Sequence, residues 1–190
     1  MRVPGALPPG KPPRCTYRRL HACGGFRCRG APPAPSLQMS LKASELLKLH
    51  ANVFHEPLAA IDGPNVELRG QSLPTLLSQT GGPPEFVATL PVTFEVMQQS
   101  LQELPRADTE PDGFFLITGH EESFFWRLNG HMHEHQGQMH RVELNGECPA
   151  ATLDAVLRTM GWPEAAVVFQ LVHEGVTLRE PELRRWALAE

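Results

Sequence analysis

Cysteine is nearly missing from most of this 190-residue chain: Cys15, Cys23 and Cys28 stand near the start, and Cys148 is alone in the remainder. One cysteine cannot close an internal disulfide, so residues 39–190 must be held by an ordinary core, and a reducing compartment suits them. No apolar run approaches the roughly 18 residues of a membrane helix, and no apolar segment of signal-peptide type follows Met1. The expectation is a cytoplasmic protein with no membrane partner. Catalytic templates are missing too: there is no G-x-S-x-G, H-E-x-x-H, P-loop or dinucleotide fingerprint.

Acidic residues are absent from residues 1–38, which hold seven cations: Arg2, Lys11, Arg14, Arg18, Arg19, Arg27 and Arg29. The rest of the chain carries 10 cations and all 21 acids, a formal −11 that the overall −4 conceals. An acidic body repels phosphate backbones, so nucleic acid is an unfavourable partner and basic partners are favoured. Residues 1–38 also contain repeated Pro and Gly, which leaves little to bury and predicts a disordered tail. A transit peptide would share the Arg-rich, acid-poor composition, but the prolines oppose its amphipathic helix. A zinc site from Cys15, His21, Cys23 and Cys28 lacks paired finger spacing. A start at Met39 would leave the segment outside the native protein.

Residues 39–190 read as one α+β domain. Ser40 suits the N-cap of a helix over 41–54, with Ala43, Leu46, Leu47, His50, Ala51 and Phe54 on one stripe. Asp62-Gly63-Pro64 predicts a turn, 66–68 a short strand, and Ser72 the cap of a short helix over 73–79. Thr93 caps a helix over 94–104 that Pro105 ends, and a polar loop fills 105–112. Pro149 opens a helix over 149–160 with Cys148 at its N-cap, where the helix dipole would lower a thiol's pKa and make a nucleophile conceivable. The β-branched run 165–172 and its partner 176–179 form a C-terminal hairpin, and Pro181 opens a last amphipathic helix.

Between them, GFFLITGHEESFFWRLNGHMHEHQGQMHRVELNG (113–146) reads as an antiparallel meander over about 114–144. Its strands are expected at 114–118, 123–128, 131–135 and 138–144, with tight turns at Asn129-Gly130 and Gln136-Gly137. With both turns in place, side-chain alternation puts His131, His133, His135 and His140 on one face beside Phe124 and Trp126, with Arg127, Glu134, Arg141 and Glu143 on the other. Imidazoles on paired strands can converge on a transition-metal ion such as zinc, with an open position for Lewis-acid chemistry. They also suit a solvated rim beside Trp126, or a proton-switched interface.

The helix–strands–helix–hairpin–helix order over 94–189 resembles that of small secretion chaperones. The acidic body, the exposed-looking sheet face, the apolar residues near strand ends and the missing catalytic templates point to a regulatory, accessory or chaperone-like module that binds another protein or itself. The alternative is a metal-binding protein or metal-dependent enzyme built on the four histidines.

Overall fold

The computed structural model describes residues 42–120 and 124–189. The expectations for the N-terminal tail and the Ser40 cap lie outside them. The strands are β1 (Leu47–His55), β2 (Ala60–Leu68), β3 (Gln71–Ser78), β4 (Ala107–Thr109), β5 (Phe114–His120), β6 (Phe125–His135), β7 (Gln138–Cys148), β8 (Val167–Leu171) and β9 (Thr177–Arg179). The α-helices are α1 (Phe94–Gln102), α2 (Ala150–Thr159) and α3 (Glu180–Leu188). Seven strands make one antiparallel sheet in the order β4-β5-β6-β7-β1-β8-β9, and β2 pairs with β3 apart from it. The architecture is α+β. No helix among the described residues is long and apolar enough to cross a membrane.

Two expected helices are strands. The stripe assigned to a helix over 41–54 competes with a stricter alternation: Leu47, Leu49, Ala51 and Val53 are buried, while Lys48, His50 and Asn52 are not. Period 2 wins because β1 lies mid-sheet, paired with β7 on one side and β8 on the other. Only Ala43–Glu45 make a short 3-10 turn. Likewise Gln71–Ser78 is β3, paired with β2, and the expected turn at Asp62-Gly63-Pro64 is an irregularity within β2. The sequence 105–112 includes the short edge strand β4. By contrast, α1 starts where its cap predicts, with Thr93 Oγ1 accepting from the Val96 amide at 3.4 Å.

One sheet face holds the main core. Leu47, Leu49, Ala51 and Val53 of β1 join Val142, Leu144 and Cys148 of β7, Leu128 and Met132 of β6, and Phe169 and Leu171 of β8. Met97 and Leu101 of α1, Leu153, Val156 and Leu157 of α2, and Leu183 and Trp186 of α3 belong to the same cluster, so the helices contribute to this inner side. A smaller cluster on the opposite side, Phe54, Leu76 and Val168 with Ala60 and Phe86, lays the β2–β3 hairpin and the following loop over the β1–β8 end. Over β5, β6 and β7 the outer face carries exposed or half-exposed residues.

The largest correction is at Asn129-Gly130. It is no turn: β6 runs unbroken from Phe125 to His135. Gly130 lies opposite Phe115, and a Cβ built on it would sit 2.0 Å from the Phe115 ring. Four residues along each strand, Gly119 lies opposite Trp126, and its Cβ would sit 2.0 Å from the indole. Each glycine therefore gives a buried aromatic ring on the neighbouring strand room to lie across the backbone. The second expected turn is real. Gln136 and Gly137 have φ of 54° and 75°, the positive pair that a type I′ turn demands. β7 then continues to Cys148 through Asn145-Gly146.

Candidate functional site

Register decides which side chains meet. Across the outer face, Phe114, His131, Glu143, Asn52 and Gln170 lie opposite one another in turn, on β5, β6, β7, β1 and β8. The neighbouring row is Leu116, Asn129, Asn145 and His50. These rows place carboxamides, imidazoles and a carboxylate on a floor that the inner face gives over to aliphatic groups. An open cleft of about 390 Å³ lies above it, lined by Phe114, Asn129, Gly130, His131, His133, Glu143 and Asn145.

A chain of contacts runs from its lining residues His133 and Glu143. His50 Nε2 lies 3.0 Å from Glu143 Oε1, and His50 Nδ1 lies 3.2 Å from His173 Nε2. A carboxylate only accepts, so His50 carries its proton on Nε2 and donates it to Glu143. In neutral His50, Nδ1 then accepts from His173. The other carboxylate oxygen, Glu143 Oε2, is 3.8 Å from His133 Nε2. That nitrogen is buried and has no hydrogen-bond partner. The ring centroids of His131 and His133 are 4.8 Å apart.

Two groups here have displaced pKa values. Burial lowers that of His133 below 6.5, helped by the nearby charges of Arg141 and His131 and opposed by Glu143. The Glu143 carboxyl is held below 4.5, chiefly by its hydrogen bond from His50, against desolvation. At neutral pH the site therefore offers a neutral imidazole facing a carboxylate.

The four histidines singled out in the sequence do not form one row beside Trp126. Trp126, Leu128 and Met132 point inward, and His131 and His133 point to the opposite face, with Arg141 and Glu143. Because Asn129-Gly130 is extended, the alternation expected after a turn there does not apply, and the histidines fall on the other face. His140 is the extra residue of an irregularity: His133 pairs with Arg141, and Glu134 with Met139. His140 approaches His135, with centroids 6.0 Å apart, near the hairpin end. The histidines thus form two pairs. As the side chains stand, no group of three or more His, Cys, Asp or Glu among the described residues is placed to hold a metal ion.

The sequence reading does not bring His50, Glu143 and His173 together: it puts His50 on a helix stripe and Glu143 on the face away from the histidines. The alternation of Leu47, Leu49, Ala51 and Val53 was the available signal for His50. Cys148 is not a nucleophile candidate in this fold. It ends β7, is fully buried, and desolvation pushes its thiol up to about 12. A larger cavity, about 480 Å³, is lined by Leu104, Ile117, Trp126, Ala151 and Ala155 among others, with Arg106 and His120 its only titratable side chains among the described residues. Compared with models of known protein families, with curated proteins and with solved structures, the chain has no match.

Proposed function

We propose that this chain is a protein-binding module, accessory or chaperone-like in role, that docks its partner on the outer face of the seven-stranded sheet. The observation that carries the reading is the composition of that face over β5, β6 and β7. Phe125 is 55% exposed, Phe114 and Leu116 are half-exposed, and Arg127 and Arg141 stand among them. Aromatic and arginine side chains are the types enriched where protein interfaces bury their core. Among the described residues of β4, β5, β6, β7 and β1, the fixed charges on this side, Lys48, Arg127 and Arg141 against Asp108, Glu143 and Glu147, balance one another, whereas residues 39–190 as a whole carry −11. A face without net charge on an acidic body suits a protein surface better than a nucleic-acid backbone.

The test is co-purification of the full chain with its partner, beside Phe125→Asp and Arg127→Glu. Both side chains are exposed, so both variants should fold. The reading expects each variant to lose the partner by about tenfold or more, as for a residue worth roughly 1.4 kcal/mol at an interface. The control Val96→Asp, at an exposed position of α1, the helix that packs on the inner face, should keep it. Retention of the partner by both outer-face variants would refute the reading. Sedimentation of the full chain asks the same question of self-association.

A further inference from the structure

We propose that His131, His133 and Glu143 bind one divalent transition-metal ion, of the zinc, cobalt or nickel class, in the cleft on the outer face. The argument starts from His133 Nε2, a buried polar atom with no hydrogen-bond partner. It is one of five such atoms among the described residues, and a water or an ion is a usual explanation for them; this one faces a carboxylate oxygen. The nearest acceptor, Glu143 Oε2, is 3.8 Å away. That is too long for a hydrogen bond. It is within reach of two donors to one ion, since two bonds of about 2.1 Å span up to about 4 Å.

The third donor comes from register. His131 and His133 are two residues apart on β6 and share its outer face, and His131 lies directly opposite Glu143. Opposed residues hold their Cβ atoms about 5 Å apart. The three do not converge as they stand. The proposal has His131, whose side chain is half-exposed, turn toward the other two to complete the set.

Around the donors, His50 fixes Glu143 by donating to Oε1 at 3.0 Å, and His173 fixes His50 at 3.2 Å. A hydrogen bond to the far side of a ligand is the usual way a metal site is held in orientation. Two imidazoles and one carboxylate select a transition metal over calcium or magnesium, which take oxygen ligands. The cleft side of the ion is left to water or to a ligand.

The experiment uses the untagged full chain, stripped with a chelator and titrated with ZnCl2 by calorimetry, then with CoCl2 to read the ligand field from its visible spectrum. One ion per chain is expected at this site. His133→Ala and Glu143→Gln should each weaken binding at least tenfold, and His50→Gln by about tenfold through the lost orientation of Glu143. His135→Ala and His140→Ala, in the separate pair, should leave it unchanged. Circular dichroism and thermal unfolding confirm that each variant is folded, and Glu143→Gln keeps the side-chain shape. No zinc binding tighter than about 100 μM, on the order of 5 kcal/mol, would overturn the proposal. So would binding that survives His133→Ala with Glu143→Gln, or that is lost with His135→Ala or His140→Ala.

Discussion

Replacing Gly130 with alanine isolates the packing that keeps β6 straight. The new Cβ would lie 2.0, 2.3 and 2.6 Å from three carbons of the Phe115 ring, where ordinary carbon contacts are about 3.5–4.0 Å. The ring would have to withdraw by about 1.5 Å, yet Phe115 is fully buried in the main core. Overpacking of this kind costs about 1–3 kcal/mol. Alanine recovers roughly 0.5–1 kcal/mol of the entropy that glycine costs a strand. With a ring this tightly held, the upper part of the overpacking range applies, and the net loss is about 1–2 kcal/mol, or roughly 2–8 °C in Tm for a domain of about 150 residues. A turn at Asn129-Gly130 would also resist alanine, through positive φ, so one variant does not distinguish the two causes. A double-mutant cycle with Phe115→Leu does. A smaller side chain opposite position 130 should make Gly130→Ala neutral or stabilising, with a coupling of about 1 kcal/mol or more. Denaturant unfolding of the four proteins measures it. Strictly additive losses, or no loss in Gly130→Ala, would refute the packing argument.

Gln136 holds φ of 54° in the β6–β7 turn; Gln136→Asn, which tolerates that conformation better, should raise stability by about 0.5–1 kcal/mol in the same unfolding assay, and a loss would contradict the turn. Cys148 should escape iodoacetamide in the native chain at pH 8 and react fully in denaturant, read by mass mapping, because its thiol is buried and raised to about 12; native labelling would contradict its placement. Acidification should destabilise the metal-free chain. With the pKa of His133 lowered by folding, the unfolded chain takes that proton more readily, so stability falls as pH drops through 6.5 toward the folded value. Glu143, also lowered, contributes stability that is present above about 4.5 and lost as pH falls through its folded pKa. Denaturant midpoints should therefore fall from pH 7 to pH 4, less steeply for His133→Gln in the upper part of that range and for Glu143→Gln in the lower; a wild-type midpoint that rises on acidification would contradict both assignments.

The parts of the fold legible in the sequence are those where a local signal acts without competition. Thr93 and Pro105 bracket α1, Pro149 precedes α2, and Pro181 lies in the first turn of α3. The β6–β7 turn was legible in Gln136-Gly137. What misled was chemistry with two uses. An Asn-Gly pair is a turn signal because glycine accepts positive φ, but Gly130 is needed for its missing side chain. A stripe at 43, 46, 47, 50, 51 and 54 fits a helix, yet the same segment alternates as a strand, and pairing on both sides of β1 decided between them. The candidate site depended on these two points. The histidines were visible as a cluster, but their face followed from Asn129-Gly130, and His50 could reach Glu143 only once β1 was a strand. His173 comes from the β8–β9 connection, 123 positions from His50, a contact with no local signal.

The central claim is that His131 and His133 lie on the outer face against Glu143, away from Trp126. Nuclear Overhauser contacts from the two imidazole rings, in the isotope-labelled full chain, test it most directly. Contacts from His133 to the Glu143 side chain and from His131 to Phe114, with none from either ring to Trp126, are the predicted result. Contacts from either imidazole to the Trp126 indole would contradict it.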